Sequence, residues 1–328
     1  MSKIRKLFSA DLSSVILCVV VLFVILAVSS KGFLSAYNIL SNFQTVAIYG
    51  MIGFAQMATL SLGQMNLAVG SMGCLSSILM GMCMQEAGLP IIVCIIICIA
   101  LGMLFGAIQG VLIAKTGINA FIVTLTLLSI YKGLANIITQ GQSYQNLPAE
   151  FKGFNSINIG GAVPMCFVVM IIVCIAVFVL FKYTRLGQRM LASGANGKAA
   201  KYSGINYDNT IITGHMISGL LCAVAGILQV LRFGSAQISI GDDWMLTSFT
   251  VAILGGTLLS GGKVSVVGVI LGSFVMVYIN NALTLWGVSS FMVQIFTGLI
   301  LILSYELDKA RVNTINRQAR IMAMKGDK

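Results

Sequence analysis

Charge is scarce in this sequence, and its scarcity indicates the class of protein. Asp, Glu, Lys and Arg together make up 9% of the 328 residues, whereas 58% are hydrophobic and the mean hydropathy is +0.98. A soluble chain of this length needs far more charge to cover its surface. The composition therefore excludes a soluble globular protein and predicts a membrane protein with several spans.

Clusters of metal-binding or redox residues are also missing. The sequence has no CxxC pair, and its one histidine, His215, has no cysteine beside it. The eight cysteines all fall in apolar segments, at Cys18, Cys74, Cys83, Cys94, Cys98, Cys166, Cys174 and Cys222. This pattern indicates packing residues, so we predict no metal site and a packed rather than catalytic histidine.

Catalytic motifs are absent as well. The segment 255–265, GGTLLSGGKVS, superficially resembles a phosphate-binding loop. That loop requires GxxxxGK[ST], but Thr257 stands at the first glycine position and Val264 at the hydroxyl position. We predict that the chain is not an enzyme, has no catalytic residues and does not hydrolyse ATP.

Long apolar runs between polar breaks predict an all-α fold with about ten transmembrane helices. A span needs about 20 mainly apolar residues, and these runs are continuous rather than alternating as in a barrel. The predicted spans are 12–30, 44–62, 66–84, 90–114, 118–139, 164–181, 210–230, 244–262, 264–282 and 289–304. The first follows basic residues, as a signal peptide does, but it is longer than a typical signal core and we predict a retained span.

Basic residues are distributed asymmetrically between the predicted loops. With the N-terminus in the cytoplasm, sixteen Lys and Arg residues fall on the cytoplasmic side, and three (Lys31, Lys152 and Arg232) on the other. Lys132 falls within a span. This bias follows the positive-inside rule, so we predict a multi-pass plasma (inner) membrane protein with both termini cytoplasmic. The basic residues that orient the chain in the membrane account for its net charge of +11. We therefore expect no nucleic-acid partner.

We predict a single transmembrane domain over residues 1–328, with two long loops and two weakly similar halves. The external loop covers about 140–163 and the cytoplasmic loop about 182–209. INAFIV at 118–123 echoes VSSFMV at 288–293, and SLGQMNLAVG at 61–70 echoes SGGKVSVVG at 260–268. Half-to-half similarity is typical of transporters whose substrate path lies between two repeats.

Carboxylates are missing from the predicted spans, because all nine acidic residues fall in loops or at span ends. Proton- and sodium-coupled carriers usually need a carboxylate in the membrane, so the pattern disfavours that class. The spans contain neutral polar residues instead: Gln56, Gln64, Asn66, Asn119, Thr124, Thr126, Asn136, Thr247, Asn280, Asn281 and Gln294. Such groups suit a neutral polar solute such as a sugar, or they bridge helices, at about 0.6–2 kcal/mol each.

The cytoplasmic loop carries the most specific pattern. Its segment 184–205, TRLGQRMLASGANGKAAKYSGI, resembles the coupling loop of ribose-type (monosaccharide) ABC importer permeases, of the branched-chain amino acid/sugar permease superfamily. Ten positions match that pattern at identical spacing: Thr184, Gly187, Ala192, Gly194, Asn196, Ala199, Ala200, Ser203, Gly204 and Ile205. Further resemblance lies at 114–134, 218–237, 254–268 and 279–291.

The resemblance implies the membrane permease subunit of an ATP-binding-cassette importer for a pentose or hexose. It implies that the chain lies in the lipid bilayer and has three protein partners. These are a second permease copy or paralogue, a cytoplasmic ABC ATPase and an extracytoplasmic sugar-binding protein. ATP and Mg would be held by the ATPase, and this chain would need no cofactor. The residues expected to couple to the ATPase are Thr184, Gly187, Asn196, Ala199, Ala200, Ser203 and Gly204. A short helix around Asn196–Tyr202, ended by Gly204, would seat in the ATPase.

The segment 61–73, SLGQMNLAVGSMG, resembles the family segment GGIDLSVGS, with Asn66 at the Asp position. We predict a broken helix entrance, capped by Asn66, rather than a free aqueous loop. The candidate translocation path comprises Gln64, Asn66, Asn119, Phe121, Thr247, Asn280, Asn281, Phe291 and Gln294.

The sequence also departs from the family. Gln188, Leu191 and Gly197 replace residues usual in the loop, and Met245 and Thr247 replace a Glu and an Asp. These changes leave the solute open between a monosaccharide and a nucleoside, an autoinducer-type sugar or a branched-chain amino acid. A stand-alone channel or facilitator, in which the 182–209 loop is merely structural, is the alternative of a different class.

Overall fold

The computed structural model describes residues 10–159, 163–289, 292–303, 305–306 and 309. Nearly all of this part of the chain is helical, and two short strands, β1 (Asn158–Ile159) and β2 (Val163–Pro164), pair antiparallel. The helices are α1 (Ala10–Ser29), α2 (Ala36–Leu60), α3 (Val69–Gln85), α4 (Ile91–Thr116), α5 (Ala120–Thr139), α6 (Ala149–Gly153), α7 (Met165–Tyr183), α8 (Arg185–Ala195), α9 (Gly197–Tyr202), α10 (Tyr207–Phe233), α11 (Trp244–Leu254), α12 (Val266–Leu285) and α13 (Met292–Leu303).

The apolar helices match the predicted spans in position but not all in length. In the part of the chain that the structure describes, five helices, α4, α5, α7, α10 and α12, are long and apolar enough to cross a bilayer. In contrast, α3 has 17 residues and α11 only 11. At about 1.5 Å per residue, α11 covers roughly 16 Å, about half of the hydrocarbon layer. The chain is a polytopic helical membrane protein, but the structure does not confirm ten complete spans.

Local sequence signals explain where the helices begin and end. Ser35 begins α2, because its Oγ accepts a hydrogen bond from the amide of Asn38 at 3.3 Å. Gly117 ends α4 and Gly234 ends α10, each with a φ of +68°. Glycine adopts this left-handed conformation without steric cost, so both helices stop where a glycine occurs.

Helices α2 and α10 form the centre of the protein. Every residue of α2 from Val46 to Leu60 is buried except Tyr49, and α10 packs against α2, α3 and α4. Gly102 of α4 and Gly219 of α10 face each other, and a Cβ on either would press on the other's backbone. Small residues of this kind let helices approach closely within a membrane protein.

The order of the elements repeats along the chain. Each half has a long buried helix (α2 or α10), a non-helical segment, a short helix (α3 or α11) and two further helices. The packing repeats too, since α10 contacts α3 and α4 while α2 contacts α11 and α12. This is the arrangement expected of a duplicated transporter unit.

One of the two sequence echoes fits this repeat and the other does not. Segments 118–123 and 288–293 both lead into the last helix of their half, although 290 and 291 lie outside the described residues. By element order, however, 61–70 corresponds to 234–243 and not to 260–268. The segments 61–70 and 260–268 are instead neighbours in space: the amide of Gly262 donates to the carbonyl of Ser61 at 3.1 Å.

The predicted external loop is partly ordered by backbone pairing. It contains α6, a 3-10 turn (Phe154–Ser156) and the β1–β2 hairpin. Tyr144 and Ala236 exchange two backbone hydrogen bonds, of 3.0 and 2.9 Å. This bridge attaches the loop to the segment that follows α10.

Candidate translocation path and coupling loop

The backbone leaves the helical conformation inside the protein between α2 and α3. Gly63 has a φ of +70°, and residues 66–70 are all buried. Asn66 donates from Nδ2 to Ser218 Oγ at 3.0 Å. Ser218 is the twelfth of the 27 residues of α10, so Asn66 lies near mid-depth and α3 starts there.

Asn66 shapes this entrance in a different way from the predicted helix cap. Its Oδ1 accepts from the amide of Ala68 at 3.0 Å, which closes an Asx turn, while Ala68 itself precedes α3 without a side-chain cap. The side-chain amide of Gln56 faces the backbone of Asn66 at 2.9 and 3.3 Å, in the orientation that satisfies both groups. The broken helix entrance is therefore present, but the cap acts on the turn before the helix.

The equivalent segment, 234–243, also enters the protein and leads into α11. Gly241 has a φ of +85°, and its backbone crosses that of Gly70 at the start of α3. A Cβ on either glycine would overlap the backbone of the other. The N-termini of α3 and α11 therefore meet inside the protein, which we call the Gly70–Gly241 crossing.

Charged side chains lie beside this crossing: Asp242 and Asp243 precede α11, at the end of a predicted span as expected, but the crossing brings that end inside the protein. Lys132 Nζ contacts Asp242 Oδ1 at 2.5 Å and also donates to the carbonyl of Ile238. Lys132 is the thirteenth of the 20 residues of α5, so this ion pair lies well inside the span. The side chains of Lys132 and Asp242 are 29% and 60% exposed on the single chain.

A second polar group forms on the other side of the same segment. Tyr49 donates from its hydroxyl to Asp243 Oδ2 at 3.3 Å, and Asn280 Nδ2 donates to the Tyr49 hydroxyl at 3.4 Å. Tyr49 is the fourteenth of the 25 residues of α2, again near mid-depth. Sequence reasoning selected Asn280 but missed Tyr49, Lys132, Asp242 and Asp243. The lysine within a span and the acidic pair after Gly241 were the available signals.

His215 joins the first broken segment to α4. Its Nε2 lies 2.8 Å from Gln64 Oε1, and its Nδ1 lies 2.8 Å from Gln109 Nε2. Both contacts are satisfied by a neutral ring that carries its proton on Nε2. His215 and Gln109 are fully buried, so the histidine is packed, as expected from the sequence, and it holds Gln64 in place.

Three predicted path residues meet at a cleft of ≈ 570 Å³ beside the α4–α5 turn. Gln64, Asn119 and Phe121 line it, and Asn119 Oδ1 accepts from the amide of Phe121 at 2.9 Å to begin α5. The cleft also borders the start of α10 at Tyr207. The structure thus brings these residues together on the side of the predicted cytoplasmic loop.

The other predicted path residues do not gather at one place. Asn281 exchanges two hydrogen bonds with Asn38, of 2.8 and 3.2 Å, and so links α12 to α2 in the bridging role that the sequence left open. Thr247 is 2% exposed, inside the packing of α11, whereas Gln294 is exposed on α13. Phe291 lies outside the described residues.

The predicted coupling loop folds as two short helices, α8 and α9. Thr184 Oγ1 accepts from the amide of Gly187 at 3.2 Å, and Asn196 Oδ1 accepts from the amide of Ala199 at 3.0 Å, which begins the two helices. Gly204, with a φ of +81°, follows the end of α9. The predicted short helix is therefore confirmed and ends before Gly204 as expected, and the structure adds Asn196 as the cap at its start.

The coupling loop presents one face to solvent and packs on the other. Ala199, Lys201, Ser203 and Gly204 are exposed, and Tyr202 is 93% exposed. Ala200, in contrast, is buried against the protein. The outward face is free to receive a partner, while the inward face fixes the loop on the membrane helices.

Gly194, near the end of α8, connects the coupling loop to the first broken segment and to the turns that follow α11. A Cβ at this position would overlap the carbonyl of Ser61 and would lie 2.8 Å from the amide of Gly262. Ser61 follows α2, and Gly262 lies in the turns that follow α11. A displacement of α8 therefore acts directly on the turns that end these two helices.

The known proteins that this chain resembles are transport permeases. The family model described as branched-chain amino acid transport system / permease component matches residues 38–305. The ribose import permease protein of Bacillus subtilis (strain 168) is 32% identical over 293 residues, covering 89% of this chain and 90% of that protein. The ribose import permease protein of Escherichia coli (strain K12) is 29% identical, with coverage of 90% and 93%. The fructose import permease protein of Rhizobium meliloti is 32% identical, with coverage of 84% and 79%. No solved structure matches the chain significantly.

The Gly70–Gly241 crossing predicts a strong size limit at Gly70. We expect Gly70→Ala to destabilise the purified protein by at least about 1–3 kcal/mol, because the new methyl group has no space. Thermal unfolding in detergent measures the effect. Gly133→Ala is the matched control, since a Cβ at Gly133 meets nothing within 4 Å. Equal melting temperatures for Gly70→Ala and the wild type would refute the close crossing.

The His215 hydrogen bonds predict coupled stability effects. We expect His215→Ala to cost about 1–3 kcal/mol for each buried amide that it leaves unpaired. Because Gln109 then has already lost this contact, adding Gln109→Ala should cost less than it does in the wild type, by about 0.5–3 kcal/mol. A double-mutant cycle of thermal unfolding measures the difference. Strictly additive effects would contradict the contact.

Proposed function

The chain belongs to the branched-chain amino acid transport system / permease component family, and on that premise we propose that it carries a monosaccharide inward as the membrane subunit of an ABC importer. Relatives that match most of its length include ribose and fructose import permeases, which supports a sugar as the solute. The observation that carries the mechanism is the exposed two-helix loop whose inner side contacts the turns that follow α2 and α11.

ATP binding and hydrolysis are assigned to a separate cytoplasmic ATPase, which would hold ATP and Mg. Helix α9 would seat in that subunit by its exposed face at Ala199 and Tyr202, while Asn196 and Gly204 hold the ends of the helix. Ala200 supports the helix from below. Thr184, Gly187 and Ser203 would stabilise the loop itself rather than contact the ATPase. Gly187, for example, has no space for a side chain beside the carbonyl of Leu180.

Closure of the ATPases would reach the path through Gly194. Its contacts with Ser61 and Gly262 transmit a movement of α8 to the turns after α2 and α11. The turn at Ser61 begins the first broken segment, which ends at Gly70 in the crossing, and the turn at Gly262 is joined to Gly241 through α11. A movement of the coupling loop is thereby converted into a change at mid-depth.

A second permease copy or paralogue is supported by the exposed charges at mid-depth. On a single chain the Lys132–Asp242 pair is open to the surroundings, and charges that face hydrocarbon cost several kcal/mol. A partner permease that encloses a water-filled path would remove this cost. We place this dimer in the plasma membrane with both termini cytoplasmic and an extracytoplasmic sugar-binding protein on the outer side.

The support for a sugar no longer rests on a lack of membrane charge. The sequence supported a sugar because the predicted spans carried neutral polar residues and no carboxylate, but Asp242 and Asp243 lie beside the crossing. The choice of a monosaccharide over an amino acid, a nucleoside or an autoinducer-type sugar therefore depends on the ribose and fructose permeases that the chain resembles.

Docking of the ATPase on α9 predicts a loss of complex in Ala199→Arg. We expect at least about a tenfold reduction in the amount of ATPase that co-purifies, since a buried unpaired charge at an interface costs more than about 1.4 kcal/mol. ATP-driven uptake in proteoliposomes should fall with it. Ala87→Arg, at an exposed alanine between α3 and α4, is the control. Normal ATP-dependent uptake in Ala199→Arg would contradict docking at α9, and uptake that needs no ATP would favour a facilitator.

Transmission through Gly194 predicts an uncoupled variant. We expect Gly194→Val to keep the ATPase bound but to lower uptake about tenfold or more, because the side chain displaces α8 from Ser61 and Gly262. The measurement is sugar transported per ATP hydrolysed. Ala192→Val is the control, since Ala192 is exposed on the same helix. Wild-type stoichiometry in Gly194→Val would show that movement is not transmitted here.

A further inference from the structure

A polar cluster at mid-depth is not used by the proposed coupling. It comprises Tyr49 of α2, Asp243 before α11 and Asn280 of α12, linked by hydrogen bonds of 3.3 and 3.4 Å. These three residues come from three separate elements, so their meeting is a product of the fold. We call them the Tyr49 cluster.

The hydrogen-bonding capacity of this cluster is only partly used by the protein. Asn280 Oδ1 is buried and accepts no hydrogen bond within the described part of the chain. Asp243 is exposed and, within that same part, forms no ion pair, because Lys132 takes the neighbouring Asp242. A buried acceptor without a donor costs about 1–3 kcal/mol, so the site is suited to a ligand that brings hydroxyl hydrogens.

The surrounding charge makes a cation a poor occupant. Arg232 of α10 lies near enough to Tyr49 to interact with it electrostatically, and it donates to Ser41 Oγ at 3.2 Å. Lys132 lies on the other side of the acidic pair. Lys132 and Arg232 thus offset the charges of Asp242 and Asp243, and the site has no excess negative charge that would select a cation over an uncharged solute.

We propose that Tyr49, Asp243 and Asn280 form a solute-binding site halfway along the path, which recognises adjacent hydroxyl groups of an uncharged polyhydroxyl solute. The Asp243 carboxylate accepts from two such hydroxyls, the Tyr49 oxygen accepts from the solute with its remaining lone pair, and Asn280 Oδ1 accepts from a third group. Hydrogen bonds to a charged acceptor are roughly twice as strong as neutral ones, so Asp243 is the main contact. This assignment rests on the proposed function.

The position of the Tyr49 cluster links solute binding to the movement that drives transport. The cluster lies beside the Gly70–Gly241 crossing, since Asp243 follows Gly241 by two residues. Movement of the turns at Ser61 and Gly262 would change the crossing and with it the spacing between Asp243 and Tyr49. The solute would therefore be held in one state of the importer and released in the next.

The test uses the complete importer, with ATPase and binding protein, in proteoliposomes with radiolabelled D-ribose or D-fructose as the probe. We expect Asp243→Asn and Tyr49→Phe to lower the ATP-driven uptake of the transported sugar by about 10- to 100-fold. Recovery of the ATPase in the complex should stay at the wild-type amount. Glu86→Gln, which makes the same change of charge at an exposed residue after α3, should transport normally.

A second readout separates solute contact from structural damage. The wild type should transport at least one singly deoxygenated analogue of the sugar about 10- to 100-fold more slowly than the sugar itself, because a site built for hydroxyl groups rejects analogues that lack one. In Asp243→Asn this ratio should fall toward one. If Asp243→Asn does not assemble, Tyr49→Phe, which removes a single oxygen atom, decides the result.

The outcomes distinguish the two levels of the proposal. Wild-type uptake in both variants, or reduced uptake with an unchanged ratio between sugar and analogue, would overturn the binding site and leave the importer intact. A wild-type complex that transports neither D-ribose nor D-fructose on addition of ATP would overturn the proposed function and the site together.

Discussion

The crossing of two glycine backbones, Gly70 and Gly241, is the constraint on which the rest of the structure depends. Neither position has room for a Cβ, so the starts of α3 and α11 meet without side chains between them. Because these helices begin near mid-depth, non-helical backbone must lie inside the protein. Such backbone is tolerated at this depth only where protein or a water-filled cavity satisfies its polar groups. The polar residues around it therefore follow from the crossing.

The main polar side chains of the two broken segments differ in exposure: that of the first segment, Asn66, is buried, and those of the second are exposed. On the first segment, Asn66 is enclosed by Gln56, Ser218 and its own Asx turn, and it is fully buried. On the second, Asp242 and Asp243 remain exposed. Buried amides therefore hold the backbone in place, whereas the carboxylates are available to water, to a partner permease or to a solute.

The coupling loop and the crossing form one mechanical unit because the same turns connect them. Gly194 of α8 contacts Ser61 and Gly262, which lie at the far ends of the elements that lead to and from the crossing. Glycine is required here for close approach, as it is at Gly70. In the proposed mechanism, a movement that the ATPase imposes at α9 thus needs no long route to reach mid-depth.

The amino-acid sequence by itself determined the class of protein, the position of the apolar helices, the ends of α9 and the family resemblance. These features follow from composition, local hydrogen bonding and fixed spacing, all of which are local along the chain. Only the tertiary structure decided that α11 is a half-length helix, that Asn281 bridges to Asn38 and that Asp243 meets Tyr49 inside the span. The last two of these depend on contacts between residues about 190 to 240 positions apart, for which no local pattern exists. The depth of Asp242 and Asp243 was missed for the same reason: hydropathy treats a loop as aqueous, whereas the crossing of Gly70 and Gly241 draws this one into the protein.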